Sequence, residues 1–221
     1  MDWDINCNHI YLSIIKLMNI DRYKILKPQN PGFFKDKGSR FISYAFNIKN
    51  EIEVSGCINL IKKKEKNAQH YCYAYILCPN KEIYKFNDDG EPKYSAGKPI
   101  LGQIKSNDLT NTLIIVVRYF GGIKLGTSGL INAYKSASLD VISKSNILIQ
   151  IIKSVYEISY NYQYMNDVMR IIKEHKIEIL KTDFQVHCKL LFAVEKSKEK
   201  EQITNFKKNH NLMINHILIV I

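Results

Sequence analysis

The fold is decided by one stretch, Leu113-Ile114-Ile115-Val116-Val117-Arg118-Tyr119-Phe120, which runs directly into Gly121-Gly122-Ile123-Lys124-Leu125-Gly126-Thr127-Ser128-Gly129. Its first five residues are continuously apolar, which predicts a central strand that is buried on both faces. Apolar side chains then recur at helical spacing, with Thr127 or Ser128 as the expected N-cap: Leu130, Tyr134, Ala137 and Val141. The organising unit of this region is therefore a strand, a glycine loop and a helix.

The residues before this unit predict further strands and helices. Arg40–Phe46 has the aromatic and β-branched content of a strand, and Glu51–Lys66 has rough helical periodicity with a basic end. Gln69–Leu77 alternates with a period of two, which predicts another strand. Farther along, Pro99 is placed to occupy the first turn of a short helix.

After about residue 152 the pattern becomes a compact βαββαβ unit. Its predicted elements are, in order, strand Val155–Tyr162, a helix with the stripe Met165–Ile172, strands Ile177–Phe184 and Cys188–Val194, a helix capped by Ser197, and strand Leu212–Ile221. The predicted fold class is α+β with two domains, residues 20–152 and 153–221. Residues 1–19 differ in character from the rest of the chain, and we interpret them as an optional leader.

The composition excludes several classes of protein and indicates a charged partner. Hydrophobic residues make up 46% of the 221 residues and charged residues 24%, which excludes a disordered, collagen-like or coiled-coil chain. The formal net charge of +11 favours anionic partners. Residues 1–153 carry 22 basic and 13 acidic residues, a balance of +9, whereas residues 154–221 carry 10 and 8, a balance of +2. An electrostatic partner is therefore expected to dock on the first domain.

The cysteine content indicates whether a metal or cofactor is expected, and the hydropathy indicates where in the cell the protein is expected. The five cysteines include no CxxC pair, so neither a disulfide framework nor a zinc knuckle is indicated, and we expect no metal and no cofactor. The N-terminal apolar run lacks a basic region and is interrupted by Lys16, which makes it a poor signal peptide. No run of 18 apolar residues predicts a membrane helix. We expect a cytoplasmic soluble protein with no membrane partner.

The glycine loop is a candidate site for phosphate or nucleic acid, because glycines let backbone N–H groups turn toward an anion at a helix N-terminus. It is not a P-loop, since Thr127 follows Gly126 where the phosphate-binding lysine would stand, and no dinucleotide fingerprint can be aligned. Tight turns and close helix packing explain the same glycines equally well. The candidate binding residues are Arg118, Gly121, Gly122, Lys124, Gly126, Thr127, Ser128 and Gly129.

Two further groups of residues each allow a functional and a structural interpretation. His70, Asp88, Asp89 and Glu91 are suitable metal ligands or proton carriers, but Asp-Asp-Gly-Glu-Pro is also good turn chemistry. Tyrosines at alternate positions can stack bases or pack a half-buried sheet, and the absence of an RNP-type motif favours packing. These tyrosine stripes are Tyr71, Tyr73, Tyr75 and Tyr156, Tyr160, Tyr162.

Several motifs, taken in order and spacing, resemble the YigZ/IMPACT family. They are His70-Tyr-Cys72-Tyr-Ala74, Asp88-Asp-Gly-Glu-Pro92, Ser95-Ala-Gly97-Lys-Pro99, Arg118-Tyr-Phe-Gly-Gly122 and Leu125-Gly126-x-x-Gly129-Leu130. The likeness covers roughly residues 20–221 and is to the bacterial two-domain form, with the leader outside it. Ser128 departs from the pattern where a glycine is usual, and Asn87 where an acidic or small residue is common.

The resemblance implies a fold and a biological setting. The first domain is expected to share the β-α-β fold of GHMP kinases and a small-subunit ribosomal protein, with a left-handed crossover. The second is expected to be ferredoxin-like and similar to the last domain of elongation factor G. Eukaryotic members resembling IMPACT regulate translation by restraining a starvation-responsive initiation-factor kinase, since they compete for its activator.

We therefore expect a noncatalytic regulator of translation that binds RNA or a ribosome-associated partner through a basic surface. One alternative is an enzyme or sensor that binds a nucleotide or another small phosphorylated ligand at residues 121–129. A second alternative is a protein-interaction module. The sequence indicates no specific reaction, so catalysis is not expected, and the oligomeric state is left open.

Overall fold

The computed structural model describes residues 21–220, which divide into two compact units. One unit comprises residues 23–149, and the other comprises residues 150–220 together with residues 21 and 22. The optional leader at residues 1–19 lies outside the described residues. Both units mix helices and sheets, so the α+β class predicted from the sequence is confirmed.

The first unit contains a five-stranded sheet and three helices. Its elements are β1 (Arg22–Lys27), β2 (Gly32–Asp36), β3 (Ser39–Asn47), α1 (Glu51–Lys64), β4 (His70–Leu77), β5 (Ile83–Asn87), α2 (Gly97–Ser106), β6 (Thr112–Tyr119), α3 (Gly126–Ser143) and β7 (Asn146–Ile151). The sheet order is β2-β3-β6-β4-β5, and β1 pairs separately with β7. The helices and strands predicted from residue 40 to residue 141 are present, whereas β1, β2, β5 and β7 were not predicted.

Strand β6 is the centre of the sheet, as its continuous apolar run predicted. Residues 113–117 are all fully buried, and β6 pairs antiparallel with both β3 and β4. Because β3 and β4 both run opposite to β6, they are parallel to each other, and α1 provides the crossover between them. The ends of three strands and the start of α3 are thereby held at one end of the sheet.

Each face of this sheet has its own cover. The face of Phe41, Cys72 and Ile114 packs against α2 and α3 in the main hydrophobic cluster. On the other face, the hydroxyls of Tyr44 and Tyr75 donate to carboxylates at the end and start of the α1 segment. Helix α1 begins after Asn50, whose side chain accepts from Glu53 N at 2.9 Å, a standard N-cap.

The predicted caps of two helices are wrong. Helix α3 begins at Gly126 with Leu125 at the N-cap position and no side-chain hydrogen bond, so Thr127 and Ser128 lie inside its first turn. The chain turns at Gly126, which takes a left-handed φ of 71°, so the helix begins two residues earlier than a Thr127 cap would place it and three earlier than a Ser128 cap would. In the second unit Ser197 lies in a 3-10 turn, Lys196–Lys198, that precedes the helix it was expected to cap.

The second unit has the element order βαββαβ. Its elements are β8 (Lys153–Asn161), a 3-10 turn (Tyr162–Tyr164), α4 (Met165–Glu174), β9 (Glu178–Phe184), β10 (His187–Glu195), α5 (Glu199–Lys207) and β11 (Met213–Val220). The sheet order is β11-β8-β10-β9, and every neighbouring pair is antiparallel. Its core joins Phe192 of β10 to Val168 of α4 and Phe206 of α5. Across residues 21–220, no helix has the length and apolar character that a membrane span requires.

Candidate functional site

The motifs singled out in the sequence meet at one end of the first sheet. The start of β4 supplies His70, the loop after β5 supplies Glu91, and the end of β6 supplies Arg118. Helix α3 adds Tyr134 from below. We call these four residues the sheet-end cluster. Arg118 and Tyr134 are 27 and 43 positions from Glu91 along the chain, yet tertiary structure brings the polar atoms of all four residues close together.

Glu91 is the centre of the sheet-end cluster. Its Oε1 accepts a hydrogen bond from Arg118 Nη1 at 2.6 Å and another from Tyr134 Oη at 2.8 Å. The side chains of Glu91 and Arg118 are 3% and 7% exposed, so both charges are removed from water. A buried ion pair is tolerated when further hydrogen bonds satisfy it, and Tyr134 provides one. Arg118 Nε has no hydrogen-bond partner among the described residues.

His70 is the most accessible member of the sheet-end cluster. Its Nδ1 lies 2.7 Å from the carbonyl oxygen of Asp89, and since a carbonyl only accepts, Nδ1 carries the proton. In the neutral ring, Nε2 is then the acceptor, and it lies 3.9 Å from Glu91 Oε1. The ring is thus held to the loop through Nδ1, while Nε2 faces the Glu91 carboxylate.

The two aspartates of the Asp-Asp-Gly-Glu-Pro loop bind backbone amides. Asp89 Oδ2 accepts from Tyr71 N at 2.6 Å, which fixes the loop to the start of β4. Asp88 joins the loop to the start of α2, because its carboxylate accepts from the N–H groups of Tyr94, Ala96 and Gly97. Asp88 and Asp89 therefore act as turn residues, which is the structural interpretation of this loop. Of the three acidic residues in the loop, only Glu91 points into the interior.

Cys72 lies beside the cluster as an inert thiol. Its Sγ approaches Tyr134 Oη at 3.3 Å and is fully buried. Burial raises the pKa of Cys72 well above that of a free thiol, and burial likewise raises the pKa of Tyr134. Both groups therefore stay protonated at neutral pH, and Cys72 is not a nucleophile.

The glycine loop leaves the cluster and passes over the β2–β3 turn. A Cβ on Gly121 would lie 1.9 Å from the carbonyl carbon of Gly38, so only glycine fits at this crossing. Gly122 adopts a left-handed φ of 88°, with open space around it. Lys124, Thr127 and Ser128 are exposed, and Gly129 is half-buried in the first turn of α3.

The structure separates the predicted binding residues into two groups. Arg118, predicted to supply charge to the glycine loop, is instead turned inward to Glu91. Lys124 remains in solvent with the loop backbone. The sequence analysis missed Tyr134 as a site residue, because a tyrosine in an apolar helical stripe looks like core. The signal available was its hydroxyl, since a buried tyrosine requires a polar partner.

The tyrosine stripes are packed, as the structural interpretation predicted. Tyr71 Oη donates to the Glu65 carbonyl at the end of α1, and Tyr75 is 2% exposed. In the second unit the Tyr156 ring stacks on Phe192, and its hydroxyl donates to Glu199. Tyr162 differs, since it leaves the strand and is 64% exposed. Among the described residues, no group of three His, Cys, Asp or Glu side chains is arranged to hold a metal ion.

Solved structures support the fold. A crystal structure described as that of a hypothetical protein matches with a TM-score of 0.60 at 24% sequence identity. The match covers 89% of this chain and 98% of that chain. The likeness therefore spans both units and shows a shared fold.

Sequence comparisons establish the family. The model of the Impact N-terminal domain matches residues 37–142. The IMPACT family member YvyE of Bacillus subtilis is 34% identical over 163 residues, covering 74% of this chain and 74% of that protein. An IMPACT family member of Haemophilus influenzae is 30% identical over 173 residues, covering 76% and 84%, and Escherichia coli YigZ is 26% identical over 167 residues, covering 75% and 82%. The chain therefore belongs to the IMPACT family, as the spacing of its motifs predicted.

Proposed function

We propose that this protein is a noncatalytic, cytoplasmic regulator of translation that binds RNA or a ribosome-associated partner through the basic surface of residues 23–149. The observation that carries the proposal is the distribution of charge. The balance of +9 in residues 1–153 rests largely on lysines, and those at the end of α1, on α2 and in the glycine loop are exposed. Exposed lysines can neutralise phosphates and release their counterions, which is the sequence-independent part of nucleic-acid binding.

The inward pairing of Arg118 with Glu91 supports a binding surface made of lysines. Because Glu91 neutralises Arg118 inside the fold, the outward positive charge of this end comes from lysines such as Lys124. The exposed lysines at the end of α1 form the densest run, at Lys62, Lys63, Lys64 and Lys66. Family membership, with the translation-regulating role that the resemblance implies for eukaryotic members, favours an RNA or ribosomal setting over other anions.

The same proposal includes the detailed fold of each unit. We assign residues 20–152 to the β-α-β fold of GHMP kinases and a small-subunit ribosomal protein with a left-handed crossover. The crossover from β3 through α1 to β4, with β6 inserted between the two strands, supports it. We assign residues 153–221 to a ferredoxin-like domain similar to the last domain of elongation factor G, supported by the βαββαβ order and the antiparallel β11-β8-β10-β9 sheet. An experimental structure tests both assignments.

The test is binding of the purified full chain to total RNA and to ribosomal subunits across a salt series. Log affinity should fall linearly with log salt, by about 0.7 per phosphate contacted on single strands. Changing Lys62, Lys63 and Lys64 to Gln should lower that slope by up to about 2. The matched control is a triple Gln change at Lys200, Lys207 and Lys208 of the second unit, which are equally exposed.

A flat salt dependence, or no binding between about 50 and 200 mM salt, would contradict the proposal. A larger loss in the Lys200, Lys207 and Lys208 variant than in the Lys62, Lys63 and Lys64 variant would contradict docking on the first unit. Partners that survive RNase and high salt would instead support the protein-interaction module.

A second candidate function is binding of a small phosphorylated ligand or nucleotide at residues 121–129. The specific observation in its favour is that exposed polar side chains flank left-handed Gly126 at the start of α3, with Lys124 before it and Thr127 and Ser128 after it. Nucleotides should then raise the melting temperature of the protein, and Lys124→Ala should abolish the effect. Stabilisation that persists in Lys124→Ala would exclude this loop.

A further inference from the structure

A row of exposed aromatic rings lies along the free edge of the first sheet. Strand β5 is an edge strand, and Tyr84 and Phe86 stand on the same face of it, two positions apart. The Phe86 ring contacts Tyr94, with centroids 6.0 Å apart and planes tilted by 58°. Tyr84 and Tyr94 are 50% and 46% exposed, whereas Phe86 is half-buried and anchors the row to the core.

Lysines accompany each exposed ring of this row. Lys105 of α2 places its Nζ 4.2 Å from the centroid of the Tyr84 ring. Lys93 and Lys98 place theirs 4.9 and 5.1 Å from the Tyr94 centroid. Lys98 and Lys105 are two helical turns apart, so they lie on one face of α2. We call the three rings and these three lysines the β5–α2 strip.

The backbone at Tyr94 is held in a costly conformation. Its φ is 66°, in the left-handed region that bulky side chains rarely adopt. The conformation is enforced by the hydrogen bond from Tyr94 N to Asp88 Oδ2 at 2.9 Å. The contact with Phe86 covers only part of the Tyr94 ring, which remains 46% exposed. Strain of this kind concentrates at binding sites, because the surrounding structure must maintain it.

Neighbouring carboxylates do not neutralise the lysines of the β5–α2 strip. Asp88 and Asp89 accept backbone N–H groups, and Glu91 is buried against Arg118. Two exposed acidic residues flank the strip: Glu82 just before β5, and Asp108 just after α2, whose carboxylate pairs with Lys81 and Lys24. The outward side chains are therefore mainly aromatic and cationic, a combination that binds unpaired bases and the phosphates between them.

We propose that the β5–α2 strip is a binding site for single-stranded RNA, with bases stacked on Tyr84 and Tyr94 and phosphates contacted by Lys93, Lys98 and Lys105. The inference rests on the proposed function and names the surface where the RNA binds. The flexible lysine stems cover the ring faces in the free protein and swing to the phosphates when a base takes their place. Unpaired bases are required, since a duplex hides its base faces.

The decisive variant is Tyr94→Gly, because it separates binding from folding. Glycine adopts a φ of 66° without strain, so the melting temperature should stay the same or rise while the ring is lost. Affinity of the full chain for a labelled U-rich RNA of about 12 nucleotides should fall about tenfold. Tyr84→Thr, which suits an edge strand, should cause a similar loss. Tyr162→Ala removes a tyrosine of the second unit that is even more exposed, and it should change nothing.

The lysines are tested by the triple change of Lys93, Lys98 and Lys105 to Gln. The salt slope of RNA binding should fall by about 2, whereas the Lys200, Lys207 and Lys208 triple should leave it unchanged. The wild-type protein should bind the single strand more tightly than a duplex of the same length.

Two different failures can be told apart. If the wild-type chain shows no salt-dependent RNA binding, the proposed function fails and the strip with it. If the wild-type chain binds RNA, but the Tyr94→Gly variant and the Lys93, Lys98 and Lys105 triple variant bind it equally well, RNA binding at the strip is overturned while the proposed function stands. Equal affinity for duplex RNA, with no effect of the ring variants, would also overturn it.

Discussion

The sheet-end cluster and the β5–α2 strip use charge in opposite ways. In the cluster Arg118 and Glu91 pair inside the fold, and their side chains are at most 7% exposed. In the strip, Lys93, Lys98 and Lys105 face solvent beside aromatic rings. The cluster draws three of its four residues, His70, Glu91 and Arg118, from the motifs by which the family is recognised, whereas Lys98 is the strip residue that lies within one of those motifs. A recognisable motif can therefore mark residues that hold loops together, and the surface proposed to bind a partner need not coincide with it.

The largest effect should come from breaking the buried pair. Arg118→Ala leaves the Glu91 carboxylate buried and uncompensated, and we expect a loss of about 3–5 kcal/mol in the free energy of unfolding. Urea denaturation measures it. Adding Glu91→Gln to the same chain removes the stranded charge and should restore part of the loss. A loss below about 1 kcal/mol would show that the pair is accessible to water.

The next largest effect should come from the point where the glycine loop crosses the β2–β3 turn. Gly121→Ala places a Cβ against the backbone of Gly38, which must move, and we expect a loss of about 1–3 kcal/mol. The matched control is Gly102→Ala in α2, where nothing lies within 4 Å of the new Cβ. That control should stabilise the helix by about 0.5–1 kcal/mol. Equal effects of the two changes would contradict the close approach.

The other side of the sheet offers a pH-dependent test away from both regions. Burial alone would raise the pKa of Glu65, but hydrogen bonds from Tyr119 and Tyr44 outweigh it and lower the pKa. The hydrogen bond to Glu65 in turn raises the pKa of Tyr119 to about 12. Because the folded pKa of Glu65 lies below its unfolded value, its contribution to stability is present above the unfolded pKa and is lost as pH falls through the folded one.

The variant Tyr44→Phe/Tyr119→Phe should therefore shift the acid-unfolding midpoint to higher pH, as followed by circular dichroism. The control is Tyr84→Phe, since its exposed hydroxyl has no role at Glu65. An unchanged midpoint in the double variant would show that the tyrosines do not hold the carboxylate ionised.

The smallest effect on stability should come from the β5–α2 strip, in contrast to the large effect expected at the sheet-end cluster. Changing Lys98 and Lys105 to Gln removes only solvent-exposed cations, so the free energy of unfolding should change by less than about 0.5 kcal/mol. Denaturation midpoints of this variant and of Arg118→Ala, measured together, check the order. A large loss in the lysine variant would mean that the strip is a structural element of the fold.

Much of the fold was predictable from local pattern. The continuous apolar run at residues 113–117 predicted a central strand, because such a run fits only where both faces are covered. The βαββαβ order of the second unit followed from alternating periods of two and 3.6. Strand β5 was missed, since an exposed edge strand needs no apolar alternation. The caps at α3 and before α5 were missed because backbone turns, at left-handed Gly126 and in a 3-10 segment, replaced side-chain caps.

The candidate site was predictable in its members and not in its arrangement. Sequence motifs pointed to His70, Glu91 and Arg118, but they assigned Arg118 to the glycine loop rather than to Glu91. The partner of a charge depends on which strand ends are neighbours, and that is set by the β3-β6-β4 order. Tyr134 entered the site in the same way, from a helix that packs beneath the sheet.

The α+β class, the family and the excess of positive charge could be read from the sequence, because they depend on residue types and their spacing along the chain. Which of the charges are buried and which are exposed became visible only in the packed fold. It turned Arg118 inward and collected Tyr84, Tyr94 and the α2 lysines on one edge of the sheet. The physical reason is that burial and pairing are properties of residues distant in sequence, which come together only when the strands and helices pack.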